Sequence, residues 1–234
     1  MRFVHLGIYT EFSITESIVR IPDLVKAAVK DEMPARALTD LSNLHAAVKF
    51  YEACLKKGIK PILGSVIRLN DAEHRATLLA MSSKGWRNLT EIVSRGFIER
   101  QQLSIPCVQK EWILEQSEDL IVLLGQHSDV GKMLCSSNPQ KAEPLLETWI
   151  EKFGNRVYLA LSRTERTGEE DFIQQAVKLA AKYQIGVVAH NDVHFIEQDD
   201  FEAHEARVCI ADGYVLGDDK RPKNYSTEQY FKTG

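Results

Sequence analysis

None of the four cysteines, Cys54, Cys107, Cys135 and Cys209, lies in a Cys-x-x-Cys pair. Their wide spacing argues against a zinc ribbon or a disulfide framework and fits reduced thiols, mostly in a core. Basic residues are not in excess, with 29 Lys and Arg against 33 Asp and Glu. A net charge of -4 argues against holding nucleic acid by bulk electrostatics, though local basic patches stay open. No stretch approaches the roughly 20 apolar residues of a membrane span. The start Met1-Arg2-Phe3-Val4-His5 has no apolar run followed by small residues, so neither export nor insertion is expected, and the cytoplasm is the expected location. There is no glycine-rich phosphate loop, internal repeat or low-complexity linker. No serine has the flanking glycines of a nucleophile elbow, and covalent catalysis is not suggested.

What is present is an ordinary globular composition, 44% hydrophobic and 26% charged over 234 residues, enough for one domain with a substantial core. Short β-branched runs alternate with amphipathic segments, the pattern of parallel strands joined by crossover helices. Strands are expected near 3–9, 36–39, 61–69, 76–81, 120–125, 157–161 and 186–190. Helices are expected near 21–31, 43–57, 85–98, 109–115, 139–153, 169–183 and 199–211. After Gly168, the residues Phe172, Ile173, Ala176, Val177, Leu179, Ala180 and Tyr183 recur at helical spacing behind an acidic first turn. Seven strand signals in this order predict a closed or nearly closed α/β barrel, with an open doubly wound sheet as the rival. Residues 1–212 are assigned to the barrel and 213–234 to a packed connecting arm.

A β/α barrel presents functional residues at the C-terminal ends of its strands. Asp192 and His194 follow the run Gly186-Val187-Val188-Ala189 and point to one side if the strand continues. Carboxylate and imidazole are ordinary ligands of zinc and manganese, although an Asp hydrogen-bonded at a loop entrance is the commoner meaning of such a pair. Asp40 reaches a comparable position after Arg36-Ala37-Leu38-Thr39, where turn and cap roles are frequent. Glu11 and Glu16 lie on the loop leaving the first strand, and Glu11 reads as a solvated acid. His5 reads as a core or barrel-floor histidine. For His45, His74, His127 and His204 a free surface imidazole is the default.

Several ordered blocks carry a resemblance: Phe3-Val4-His5-Leu6 with Thr10-Glu11-Phe12-Ser13; Ala37-Leu38-Thr39-Asp40 with Asn43-Leu44; Gly58 through Gly64; Leu78-Leu79-Ala80; Gly85-Trp86-Arg87-Asn88-Leu89; Asn191 through Phe195; and Arg221 through Ser226. Together they resemble the polymerase and histidinol phosphatase (PHP) domain, in the version found at the N-terminus of bacterial replicative DNA polymerase III alpha subunits. The resemblance covers essentially the whole chain and implies a distorted seven-stranded β/α barrel of the PHP type. It also implies a cluster of divalent metals at the barrel mouth in active members.

Measured against that family pattern, the paired histidines of the first strand are Gly7 and Tyr9, and the following loop acid is Glu16. Asp40 is kept, but the next histidine position is Leu41, the third-strand glutamate is Val66, and a later histidine position is Arg75. Two further ligand positions fall on Gln126 and Thr164, while Asp192 and His194 are kept. Losing even one supporting partner of a metal ligand commonly costs about 10 to 100-fold in affinity or activity, and here most direct donors are absent. The expectation is therefore a degenerate metal site with no catalytic residues and no cofactor, in which Glu16, Asp40, Asp192 and His194 are vestigial. The last three are expected to persist as a polar network. One alternative is a single weakly held divalent metal at Asp40, Asp192 and His194; another is a residual metal-dependent phosphoesterase or exonuclease.

The resemblance further implies that the parent protein is a DNA-directed DNA polymerase, a nucleotidyltransferase of DNA replication, whose polymerase domains lie C-terminal to this barrel. The partners it implies are the polymerase body of the same chain, the proofreading exonuclease subunit, and DNA through the parent polymerase, with no membrane.

Overall fold

The computed structural model describes residues 3–70, 73–99, 101–102 and 105–233. Its elements in chain order are β1 (Gly7–Ile8), α1 (Ile21–Lys30), β2 (Ala35–Leu38), α2 (Ala47–Leu55), β3 (Lys60–Leu69), β4 (His74–Ala80), α3 (Ser83–Ile98), β5 (Gln101–Gln102), β6 (Ile105–Pro106), α4 (Lys110–Glu115), β7 (Leu120–Leu124), α5 (Asp129–Leu134), α6 (Ala142–Phe153), β8 (Val157–Ser162), α7 (Glu169–Tyr183), β9 (Gly186–His190), β10 (Asp192–Val193) and α8 (Phe201–Asp212).

Local chemistry sets the helix ends. Pro22 and Asp23 open α1 and Lys30 closes it, matching fixed φ and charge to the two poles of the helix. Ser82 caps α3 by accepting from the backbone N–H groups of Lys84 and Gly85. Gly85 can only be glycine, because a Cβ there would collide with the Asp119 carbonyl. Along α7, Phe172, Ala176, Leu179 and Ala180 face the core at helical spacing, behind Glu169, Glu170 and Asp171.

Six strands form one mixed sheet in the order β2-β3-β4-β7-β8-β9. The pairs β2–β3, β7–β8 and β8–β9 are parallel, whereas β4 runs antiparallel to both β3 and β7. The all-parallel expectation therefore fails at β4. Only four residues separate Leu69 from His74, too few for the dozen or more that a parallel crossover needs. Ring closure comes from β1 and β10, which pair in parallel through Gly7↔Asp192 and Ile8↔Val193. On its other side β1 meets β2, since Ala37 N donates to His5 O and Thr39 N to Ile8 O. With β10 continuing β9 past Asn191, the staves β1, β2, β3, β4, β7, β8 and β9–β10 make a curled, seven-stave β/α barrel.

Small and medium side chains fill the lumen, with Ala37, Leu79, Leu123 and Ala160 in contact. Outside, helices cover the wall in two larger apolar clusters. One joins α1 and α2 to Ile8 and Leu38, and the other joins α3, α6 and α7 to β3, β4, β7 and β8. Among the described residues no helix is long and apolar enough to cross a membrane.

The segment after α8 returns to the barrel. Tyr225, Gln229 and Phe231 pack against it, with Phe231 N donating to Phe195 O and Gln229 O accepting from His194 N.

Candidate functional site

A cleft of about 680 Å³ opens at the barrel mouth. Strand ends β1, β7, β8 and β10 contribute Tyr9, Gly125, Ser162 and Asp192 to its wall. Because β4 is reversed, its first residues rather than its last reach the mouth, and this brings Arg75 into the cleft.

Asp192 and His194 do share this cleft, as their alternate spacing predicts, and Glu16 lines it too. Asp40 does not join them. It is buried and turned toward the loop after β1. There it accepts from Thr10 N at 2.6 Å, from Thr10 Oγ1 at 2.8 Å and from Ser13 Oγ at 2.6 Å. Burial pushes its carboxyl pKa above the usual range, although those hydrogen bonds pull against the shift. The expected three-residue polar network is thus two separate structures, a latch at Asp40 and a cluster in the cleft.

Each acid of the cluster is already engaged. Glu16 meets Arg75 Nη2 at 3.3 Å and Arg68 Nη2 at 3.6 Å, and accepts from the Tyr225 hydroxyl at 2.9 Å. Burial alone would raise its pKa, yet Arg75, His194, Tyr225 and Arg68 hold it below the ordinary value. Asp192 accepts from Arg166 Nη2 at 2.9 Å and lies 3.1 Å from His190 Nε2. Against the cost of burial, His190 and Arg166 keep its carboxyl well below the usual range. Arg166 also reaches Thr164 Oγ1 at 3.0 Å and Glu169, whose carboxylate caps the backbone N–H groups of Thr164 and Arg166.

His194 lies nearly parallel to the Tyr9 ring, with centroids 4.5 Å apart. Its Nδ1–H donates to the Glu16 carbonyl, which also accepts from His204 Nε2 at 2.9 Å. Burial lowers the His194 pKa to about 4, so the ring is neutral at pH 7 and its Nε2 keeps a lone pair. His204 is a correction to the surface assignment. It is fully buried and touches the His194, Phe195 and Tyr225 rings. His45 and His127 are exposed, His74 is half-buried, and His5 is a core residue whose Nε2 donates to Lys232 O at 2.8 Å. Glu11 is half-buried, outside the cleft lining, and lies 3.9 Å from Arg20 and from Lys49.

Tyr9, Leu41 and Val66 pack on one another as a single buried apolar cluster, and Leu41 bridges Val66 along the backbone. Beside them Gly7 leaves a gap that the His190 imidazole fills, since a Cβ on Gly7 would overlap that ring. Among the described residues no group of three or more His, Cys, Asp or Glu side chains is arranged to hold a metal ion.

Sequence reasoning placed His190 and Thr10 in strand-end stretches without giving them a role, and passed over Arg166, Glu169 and Ser13. His190 carried a readable signal, being the third alternate residue with Asp192 and His194. The Arg166 and Glu169 loop carried none.

A β/α barrel with its polar cluster at the C-terminal mouth defines the class. The family model for the PHP domain matches residues 5–164, and the chain belongs to that family. The DNA polymerase III subunit alpha of Pseudomonas aeruginosa is 44% identical over 237 residues, and that of Escherichia coli (strain K12) is 40% identical over 238. Each alignment covers 99% of this chain and 20% of the relative, so the chain spans about a fifth of the length of the curated relatives it matches. Among solved structures, a two-domain protein from Bacteroides vulgatus, described as containing a predicted PHP-like metal-dependent phosphoesterase, superposes with a TM-score of 0.54 at 13% identity. That match covers 82% of this chain and 52% of the other, and it shows the shared fold alone.

Proposed function

We propose that this chain is the N-terminal PHP domain of a replicative DNA polymerase III alpha subunit, silent as a phosphoesterase and retained as a structural and docking domain. In this reading residues 1–212 form the barrel, and 213–234 lead toward the polymerase body of the same chain. The proofreading exonuclease subunit docks on the barrel, and DNA is met through the parent polymerase. Nucleotidyl transfer belongs to the rest of the parent, and the cytoplasm is its place of work.

The observation that carries the silent reading is the Tyr9–Leu41–Val66 cluster. Three positions where the family pattern calls for two imidazoles and a carboxylate instead pack hydrocarbon and a ring together. The residues present do not fit a multinuclear metal centre. Asp40 accepts three hydrogen bonds from Thr10 and Ser13, and Glu16 and Asp192 are neutralised by guanidinium groups. A unit charge pair about 4 Å apart at an effective dielectric constant of about 20 interacts by roughly 4 kcal/mol, and by twice that for a divalent ion. A cation reaching Glu16 or Asp192 has first to displace Arg75 or Arg166 from ion pairs of about that strength.

Docking is tested by mixing the chain with the proofreading exonuclease subunit and following association by calorimetry and gel filtration. A stable complex is expected, and no association at micromolar concentrations would sink the docking role.

The second reading is a residual metal-dependent phosphoesterase. What favours it is the neutral His194 and the ionised Asp192 lining one open cleft. It requires hydrolysis of single-stranded DNA ends with added zinc or manganese, abolished by Asp192→Ala.

A further inference from the structure

Helix α2 is apolar on more than its core side. Ala47, Phe50 and Cys54 are buried against the barrel, yet Val48, Tyr51 and Leu55 stay 71%, 45% and 55% exposed. At about 100° per residue these three fall in one stripe, on the flank opposite Lys49, which turns to Glu11 and the Phe12 ring. Leu44, one turn before Val48, carries the stripe into an open furrow of about 400 Å³ between the start of α2 and the last turns of α3. Phe97 and Ile98 form the other wall and are 40% and 82% exposed, with the buried Val93 behind them.

The polar residues of that wall do not make it hydrophilic. Thr90 Oγ1 donates to Trp86 O at 2.8 Å and Ser94 Oγ to Thr90 O at 2.8 Å, so each hydroxyl proton is spent on its own helix. Cations gather at the far end. Lys57 and Lys60 follow α2, Arg87 lies one turn before Thr90 on α3, and none of the three has an acidic partner among the described residues. The acids nearby are Glu52, already held by Lys56 at 3.9 Å, and Glu91. A contiguous apolar track bordered by charge marks a protein interaction surface.

We propose that the proofreading exonuclease subunit docks here, laying an amphipathic helix along the α2–α3 furrow with its apolar residues on Tyr51, Leu55 and Phe97 and its acidic residues at Lys57, Lys60 and Arg87. The proposal rests on the docking role argued above and deepens it, by assigning a face of the barrel and the chemistry of the segment that meets it. A helix suits the shape, because a groove between two helices takes apolar anchors at i, i+3 or i+4, and i+7. Excess positive charge selects an acidic partner and steers its approach. A second copy of the chain fits worse, since a two-fold contact sets the furrow against itself, concave on concave, with its unpaired cations on one another. Nucleic acid would engage the cations but leave Val48 and Leu55 uncovered.

The test uses the full-length parent polymerase and the purified exonuclease subunit. Tyr51→Glu and, separately, Phe97→Glu are expected to weaken their association about ten-fold or more in calorimetry, as for loss of an aromatic anchor, while Val177→Glu on the exposed side of α7 changes it by less than about two-fold. Arg87→Glu is expected to weaken it and to flatten its salt dependence. Hydrogen exchange on the unmutated polymerase supplies a reading that no substitution perturbs: residues 44–55 and 87–98 exchange more slowly once the exonuclease is added. Undiminished affinity in both the Tyr51 and Phe97 variants overturns the proposal and leaves the docking role standing. Protection of those residues in the polymerase alone also overturns it, because the furrow is then covered by the parent chain itself or, where dilution removes the protection, by a second copy. Exonuclease that does not bind the unmutated polymerase removes the docking role and this assignment together, a result distinct from the other two.

Discussion

Asp40 shows how one side chain can persist after its ancestral work has gone. Its carboxylate holds the loop after β1 through Thr10 and Ser13, and hydrogen bonds to a charged group are worth about 1.5–3 kcal/mol each in net terms. Asp40→Ala is expected to destabilise the chain by about 3 kcal/mol in urea unfolding, given partial relaxation of the loop. Three buried histidines, His5, His194 and His204, add a pH signature, since burial lowers the pKa of each. His5 and His194 have folded pKa values of about 4, lowered chiefly by burial from 6.5. As pH falls below 6.5 the unfolded chain takes up protons that the folded chain refuses. Stability is therefore complete above 6.5 and is lost as pH falls toward 4, by up to about 1.4 kcal/mol per pH unit for each histidine. Asp192, whose pKa is depressed, adds loss below 3.8, while Asp40, whose pKa is raised, opposes it. Urea midpoints measured from pH 7.5 to 4.5 should show this slope, and His194→Asn should remove one histidine's share of it.

At the scale of elements, β1 fits tightly against the strand made of β9 and β10. Gly7 yields its side-chain volume to His190, so Gly7→Ala should cost about 1–3 kcal/mol by overpacking. Adding His190→Ala should recover part of that loss, and additive effects in the double-mutant cycle would show that the two residues do not share the space. The elements themselves were largely legible. All seven expected strands and all seven expected helices form, because periodicities of 2 and 3.6 report burial directly. Strand direction was not legible from periodicity, which is why β4 was expected to be parallel; the short gap between Leu69 and His74 was the overlooked signal. The six-residue helix α5 is too short to leave a periodic trace.

For the whole molecule, the site was legible where it depended on spacing along one strand and illegible where the loops decided it. Asp192 and His194 could be placed together from their alternation. That Asp40 turns away from them, and that Arg166 and Arg75 occupy the acids, depends on a loop between β8 and α7 and on the reversed course of β4. These same features make the barrel a scaffold in our account, with its stability invested in guanidinium–carboxylate and aromatic contacts where a metal centre would need free donors.

That account is tested most directly by metal analysis of the chain purified without chelator and equilibrated with zinc or manganese. We expect well under one tightly held ion per chain and no hydrolysis of single-stranded DNA ends. Two or more retained ions per chain, with end hydrolysis abolished by Asp192→Ala, would contradict it.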